Sequence, residues 1–144
     1  MLDMKTVSPT LTFLLRLARV QAVLARRFDS SLGGIGMSDF LILYHLTQAS
    51  DHKMRRIDLA EKIGLTASGV TRLLAPMEKI GLIKRAVNTH DARVSYVMLA
   101  PGGARMFQEA LENAELFCEE TFPPEKNKTL GPLSEVLYDI GELI

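Results

Sequence analysis

A mainly α-helical domain carrying a small β-ribbon (α+β only by content) is the fold class this sequence predicts, and three observations predict it. Apolar residues recur at steps of three and four over two long terminal stretches. In the middle that period gives way to two short runs, LIKRA and VSYVMLA, rich in β-branched and apolar residues. Two short helical segments joined at a glycine stand immediately before those runs. With 144 residues, 47% of them hydrophobic, the chain suffices for one domain with a core and is too apolar for disorder.

The first helix opens at Ser8-Pro9. Serine caps, and proline suits the first helical position because its missing N–H has no partner there. Leu11, Leu14, Leu15, Ala18, Ala22 and Ala25 mark its apolar face, and Gly33-Gly34 stops it. Ser38 is the expected cap of a second helix, DFLILYHLTQA, apolar on nearly all sides and therefore buried. SDHKM reads as a polar turn. The third helix, RRIDLAEKIG, points Ile57, Leu59, Ala60 and Ile63 inward and ends at Gly64. Thr66 or Ala67 opens the fourth, with Val70, Leu73, Leu74 and Met77 on one face. The two strands follow around the loop VNTHDA, too long for a two-residue turn and so expected to protrude. A second long helix runs from Pro101 until Pro123-Pro124 breaks it, and a tail with Leu130, Leu133, Leu137, Ile140 and Ile144 closes the chain. One domain over 1–144 is expected, with a central lobe at 37–100 flanked by long-helix segments at 8–34 and 101–144.

Formal charge is zero, so no chain-wide charge argument points to a polyanion. Its distribution does. Nine basic and four acidic residues lie between Lys53 and Tyr96, a local charge of +5 that leaves −5 on the remainder. Cys118 is the single cysteine, so no internal disulfide can form, as in a reducing compartment. MLDMKTVSPT lacks the apolar core of a signal peptide, and Arg16 and Arg19 interrupt the apolar stretch that follows, far short of the ~18 residues a membrane span needs. The expectation is a cytoplasmic protein with no membrane partner. No nucleophile–base pair, paired carboxylates or phosphate loop suggests an enzyme. His45, His52, His90 and Cys118 do not fall at metal-ligand spacing, so neither metal nor cofactor is expected.

The fourth helix has a second stripe. Ser68, Thr71, Arg72, Ala75 and Lys79 share a face opposite the apolar one. Short hydroxyl side chains let a helix backbone approach a duplex groove while still reaching phosphates or base edges. Arg72 reaches either a guanine edge or a phosphate, and the helix start at Thr66 and Ala67 offers free N–H groups to an anion. On this helix alone, an ordinary solvated face has the same appearance. The ribbon adds Lys84, Arg85 and, near its tip, Arg93, the side chain a narrow minor groove attracts. Asp91, two residues earlier, is expected to pair with an arginine or cap the turn.

These residues resemble the MarR family of bacterial transcriptional regulators, whose fold is a winged helix-turn-helix. The likeness rests on Leu59-Ala60, Gly64-Leu65, Ser68-Gly69-Val70-Thr71-Arg72, Leu74, Met77-Glu78, Gly81-Leu82-Ile83, then Asp91-Ala92-Arg93 with Val97 and Leu99. The resemblance implies a homodimer whose long first and last helices intertwine, each protomer offering one winged helix to a palindromic site in double-stranded DNA. It implies that Ser68, Thr71 and Arg72 face the major groove and Arg93 the minor groove. It also implies a repressor whose affinity falls when a small aromatic or anionic effector binds; Arg16, Tyr44 and His45 are candidates for that pocket, Tyr44 and His45 reading equally well as core residues. Two positions depart from the pattern. Ala100 stands where a capping threonine is common, so the next helix should fray, and Pro76 should bend the fourth helix near Arg72. Cys118, beside Phe117 and two glutamates, reads as a buried structural cysteine, with a redox-sensing regulator as the alternative. A winged helix used for protein–protein contact is the other alternative, and it differs by predicting no salt-dependent DNA affinity.

Overall fold

The computed structural model describes residues 6–91 and 93–144. Residues 1–5, part of the stretch read for a signal peptide, and Ala92 of the ribbon motif lie outside the described residues. Helix α1 spans Pro9–Ser31, with the Ser8 hydroxyl accepting the Leu11 N–H. Helix α2 spans Met37–Gln48. Strand β1 (Lys53–Arg55) leads into α3 (Arg56–Ile63), and Gly64, left-handed at φ 73°, turns the chain toward α4 (Ala67–Lys79). Strands β2 (Ile83–Val87) and β3 (Ser95–Leu99) form the ribbon, followed by α5 (Pro101–Thr121) and α6 (Asn127–Leu143). A winged helix-turn-helix is thus set between long helices.

The sheet order is β1-β3-β2, antiparallel throughout, with Met54 opposite Val97 and Arg85 opposite Val97 on the other side. The polar turn expected at SDHKM is instead a short 3-10 turn, Ser50–His52, followed by this third strand. Three residues show no period of their own; their pairing comes from Tyr96–Met98, far along the chain. Ser38 is not the cap of α2. The N-cap is Gly36, two residues earlier, and the Met37 N–H donates to Asp29 Oδ1 at 3.1 Å, a cap supplied from the end of α1.

The core is continuous from α1 to α5. Phe28 and Leu32 meet Ile42, Leu43 and Leu46 of α2, Leu59 of α3, and Val70, Leu74 and Met77 of α4. Phe107, Ala110, Ala114 and Phe117 close it from α5, Phe28 standing edge-on to Phe117 with ring centres 5.1 Å apart. Ile57 is 62% exposed rather than inward, whereas Leu59 and Ala60 are buried in this core and Ile63 packs against it half-buried. Cys118 is exposed as well: neighbours on a helix are rotated by about 100°, so burying Phe117 turns Cys118 outward.

The start of α5 has no side-chain cap, yet it is anchored. The Ala100 N–H donates to Leu82 O at 3.0 Å, Ala100 is buried, and Gly102 and Gly103 lie against the Gly81–Leu82 backbone. α4 continues without interruption through Pro76, which sits in its last turn and removes a single intrahelical donor. α6 is the exception to all this packing. It carries no buried residue, and Leu130, Leu133, Val136 and Leu137 are exposed along it. The first turns of α1 likewise expose Leu11, Phe13, Leu14 and Leu15. No helix among the described residues is long and apolar enough to cross a membrane.

Candidate nucleic-acid interface

Local chemistry builds the start of α4. Thr66 is the N-cap: its hydroxyl accepts the Gly69 N–H at 3.1 Å and lies 3.2 Å from the Ser68 hydroxyl. One orphan donor of the first turn is thereby used, and the others remain turned outward. Thr71 is half-buried. Its hydroxyl donates to Ala67 O at 2.9 Å and accepts from Arg56 Nη1 at 3.0 Å, tying α3 to α4. Arg72 and Lys84 are exposed and form no ion pair among the described residues. Arg85 reaches back from β2 to Glu78 of α4, Nε to Oε2 at 2.8 Å.

The loop between β2 and β3 is closed by Asn88, whose N–H donates to Val94 O at 3.0 Å, and its Oδ1 accepts the His90 N–H at 2.8 Å. Inside it Asp91 accepts from both the backbone N–H and the Nε of Arg93, at 3.0 and 3.2 Å. Those side-chain and backbone bonds hold the Asp91 carboxyl below the usual carboxylate range. The Arg93 side chain is otherwise in solvent, 91% exposed. An acid that shapes the loop and aims an arginine is what the Asp-x-Arg spacing suggested.

Arg93 also has company that sequence reasoning missed. Together with Arg55 and Arg56 it walls a cleft where the ribbon meets the start of α3. Arg55 is held by Asp58 through two bonds, at 2.8 and 3.0 Å, and this pairing depresses the Asp58 carboxyl. Both arginines lie in the basic window and were visible as charge; that the fold carries them to the ribbon was not. Arg16, Tyr44 and His45 are not gathered in the same way. Tyr44 and His45 stack edge-on at 5.1 Å on α2, Tyr44 exposed and His45 half-buried, while Arg16 is exposed on α1. Burial, helped by Lys62, pulls the His45 ring below its ordinary pKa. Five surface cavities formed by the described residues take no wall from any of the three.

The segment holding this surface, residues 35–95, matches the MarR family model. Over those residues the chain is similar to the MarR family. Among curated relatives, the HTH-type transcriptional regulator PrsX of Escherichia coli is 25% identical over 87 residues, 60% of this chain and 52% of PrsX. The chain therefore spans about half the length of the curated relatives it matches. Solved structures share the fold along nearly the whole chain. The MarR family regulator Sco3205 of Streptomyces coelicolor, in complex with DNA, superposes with a TM-score of 0.75 at 18% identity, covering 95% of this chain and 91% of its own. The organohalide-sensing regulator RdhR-CbdbA1625, in its 2,4-dichlorophenol-bound form, gives 0.78 at 18% identity, with 96% and 85% covered. These relatives are transcriptional regulators rather than enzymes.

Proposed function

We propose that this chain is a sequence-specific, DNA-binding transcriptional regulator, a cytoplasmic homodimer that represses from a palindromic operator until a small aromatic or anionic effector lowers its affinity. One observation carries the reading: an outward-facing helix start and an arginine-tipped ribbon lie on the one stretch of chain with local charge +5. In this arrangement Thr66, Ala67, Ser68, Thr71 and Arg72 face the major groove or its rim, Arg93 enters the adjacent minor groove with Asp91 holding it, and Lys84 and Arg85 approach the backbone. Arg85 must share its guanidinium with Glu78. The lobe at 37–100 is the reader, and the segments 8–34 and 101–144 join the two protomers. The bare apolar faces of α6 and of the first turns of α1 support that division, because a helix with nothing buried has little reason to persist in water alone.

For the effector, a cavity of about 280 Å³ lined by Gln21, Leu24, Met37, Leu41, Ile63 and Leu65 lies behind the α3–α4 link, where an occupant bears on the turn that aims α4. Arg16, Tyr44 and His45 remain the polar candidates, although none of them lines that cavity. A redox version is disfavoured: partial burial, then Glu115, pushes the Cys118 thiol up and suppresses the thiolate.

Fluorescence anisotropy on duplexes selected from genomic fragments tests the proposal. Affinity should fall log-linearly with salt, by about 0.9 in slope for each phosphate neutralised. Binding to no duplex at low salt, or binding indifferent to salt, would overturn it. Sedimentation tests the assembly, with the paired change Leu133→Glu and Leu137→Glu expected to give monomers.

A further inference from the structure

Three arginines meet in the cleft between the ribbon and α3. Arg55, Arg56 and Ile57 from the start of α3 face Arg93, Val94 and Ser95 across about 150 Å³. Two of its three arginines already have a carboxylate: Arg55 has Asp58, and Arg93 has Asp91. Arg56 has none among the described residues. Its one hydrogen-bond partner there is the neutral Thr71 hydroxyl, which it reaches through Nη1. That hydroxyl spends its own hydrogen on Ala67 O, so its position on α4 is fixed from two sides. A guanidinium has five N–H donors in one plane. With one donor committed to Thr71, the rest are open to an anion, and the fork suits the oxygens of a phosphate.

We infer that this cleft seats one phosphate of the DNA backbone and that Arg56 is a positioning residue, holding that phosphate with one edge and Thr71 with the other. The inference rests on the DNA-binding reading above. The grip would set how deeply, and in which register, α4 enters the groove, coupling a contact blind to sequence to the helix that reads it. A surface cation with no such coupling would leave specificity untouched when replaced.

The test uses the full chain, a duplex selected by the wild-type protein and a scrambled duplex of equal length, with anisotropy titrations across a salt series. Arg56→Ala should lower the salt slope by about 0.9 per protomer and cut the selected-to-scrambled affinity ratio by about tenfold. Arg56→Lys should keep the slope and lose the ratio, since an ammonium grips a phosphate but cannot hold both partners in one plane. Thr71→Val, nearly isosteric, should do the same. An unchanged slope in Arg56→Ala would overturn the phosphate seat, and an unchanged ratio in Arg56→Lys and Thr71→Val would overturn the positioning role. Should Arg56→Ala fail to fold, the other two variants still decide the coupling. A wild-type chain without salt-dependent duplex binding would instead bring down the DNA reading, and this inference with it.

Discussion

Gly103→Ala is a sharp test of how the reader is fixed to the long helices. Gly103 is buried in the first turn of α5, where it lies directly against the Leu82 carbonyl. A methyl group there would overlap that carbonyl oxygen and come within 3.0 Å of Leu99 Cδ1. Helix propensity alone favours alanine over glycine by about 1 kcal/mol. Against that stands an overlap with backbone, which cannot swing aside like a side-chain tip, so the cost belongs at the upper end of overpacking, about 3 kcal/mol. Relief requires α5 to retreat from Leu82, which strains the Ala100 N–H bond to the same oxygen, worth about 1 kcal/mol. The balance is a net loss of about 3 kcal/mol. Urea unfolding followed by circular dichroism, at one fixed protein concentration because the assembly contributes to stability, should show it as a lower midpoint. Gly141→Ala on α6, where a methyl group meets nothing within 4 Å, is the matched control and should be neutral or slightly stabilising. A Gly103→Ala midpoint at or above wild type would refute the close approach and the anchoring of α5 argued from it.

Thr66→Ala should cost about 1 kcal/mol in the same unfolding assay, because the Gly69 N–H loses its cap; no loss would mean that tertiary packing alone sets the start of α4. Asp39 is half-buried, and desolvation raises its carboxyl against the Gly36 N–H, with Asp29 adding to the rise. A raised folded-state value makes its contribution favourable in acid and lost as pH rises through the carboxylate range, so Asp39→Asn should stabilise at neutral pH with the gain shrinking toward acid. Equal stability of the two proteins across that pH range would contradict this. Asp91→Asn should raise affinity for scrambled duplex by removing a negative charge, yet lower the selected-to-scrambled ratio because Arg93 loses its ionic holder; a ratio that stays level in anisotropy titrations would count against that aiming role.

The parts of the fold set by local chemistry were legible in the sequence. Ser8-Pro9, Gly64 and Pro123-Pro124 delimit elements through backbone constraints that travel with the residues themselves. The face of α4 was legible too, since Val70, Leu74 and Met77 recur at helical spacing and are buried. What was missed depends on partners distant in sequence. β1 exists only because β3 arrives beside it, and the cap of α2 comes from Asp29, eight residues before the N–H it serves. Ile57 satisfies the helical period but lies at the edge of a short helix, where the core no longer reaches. Arg56 was counted as charge and nothing more, because its tie to Thr71 spans fifteen residues and two helices.

The ion pairs of the lobe bear on why a reader of a polyanion should carry acids at all. Arg55–Asp58, Arg85–Glu78 and Arg93–Asp91 are all exposed, and exposed pairs add little to stability. Their value has to lie elsewhere. A free arginine samples many rotamers, and fixing it on contact with a partner costs order that must come out of the binding energy. An acid nearby narrows those rotamers before the partner arrives, at the expense of some Coulomb attraction. The trade favours orientation over raw affinity, which suits a protein that must distinguish sites rather than adhere to any duplex. On that argument the unpaired cations contribute grip and the paired ones contribute aim. Arg56, tied to a hydroxyl instead of a carboxylate, keeps its full charge while its direction is still set.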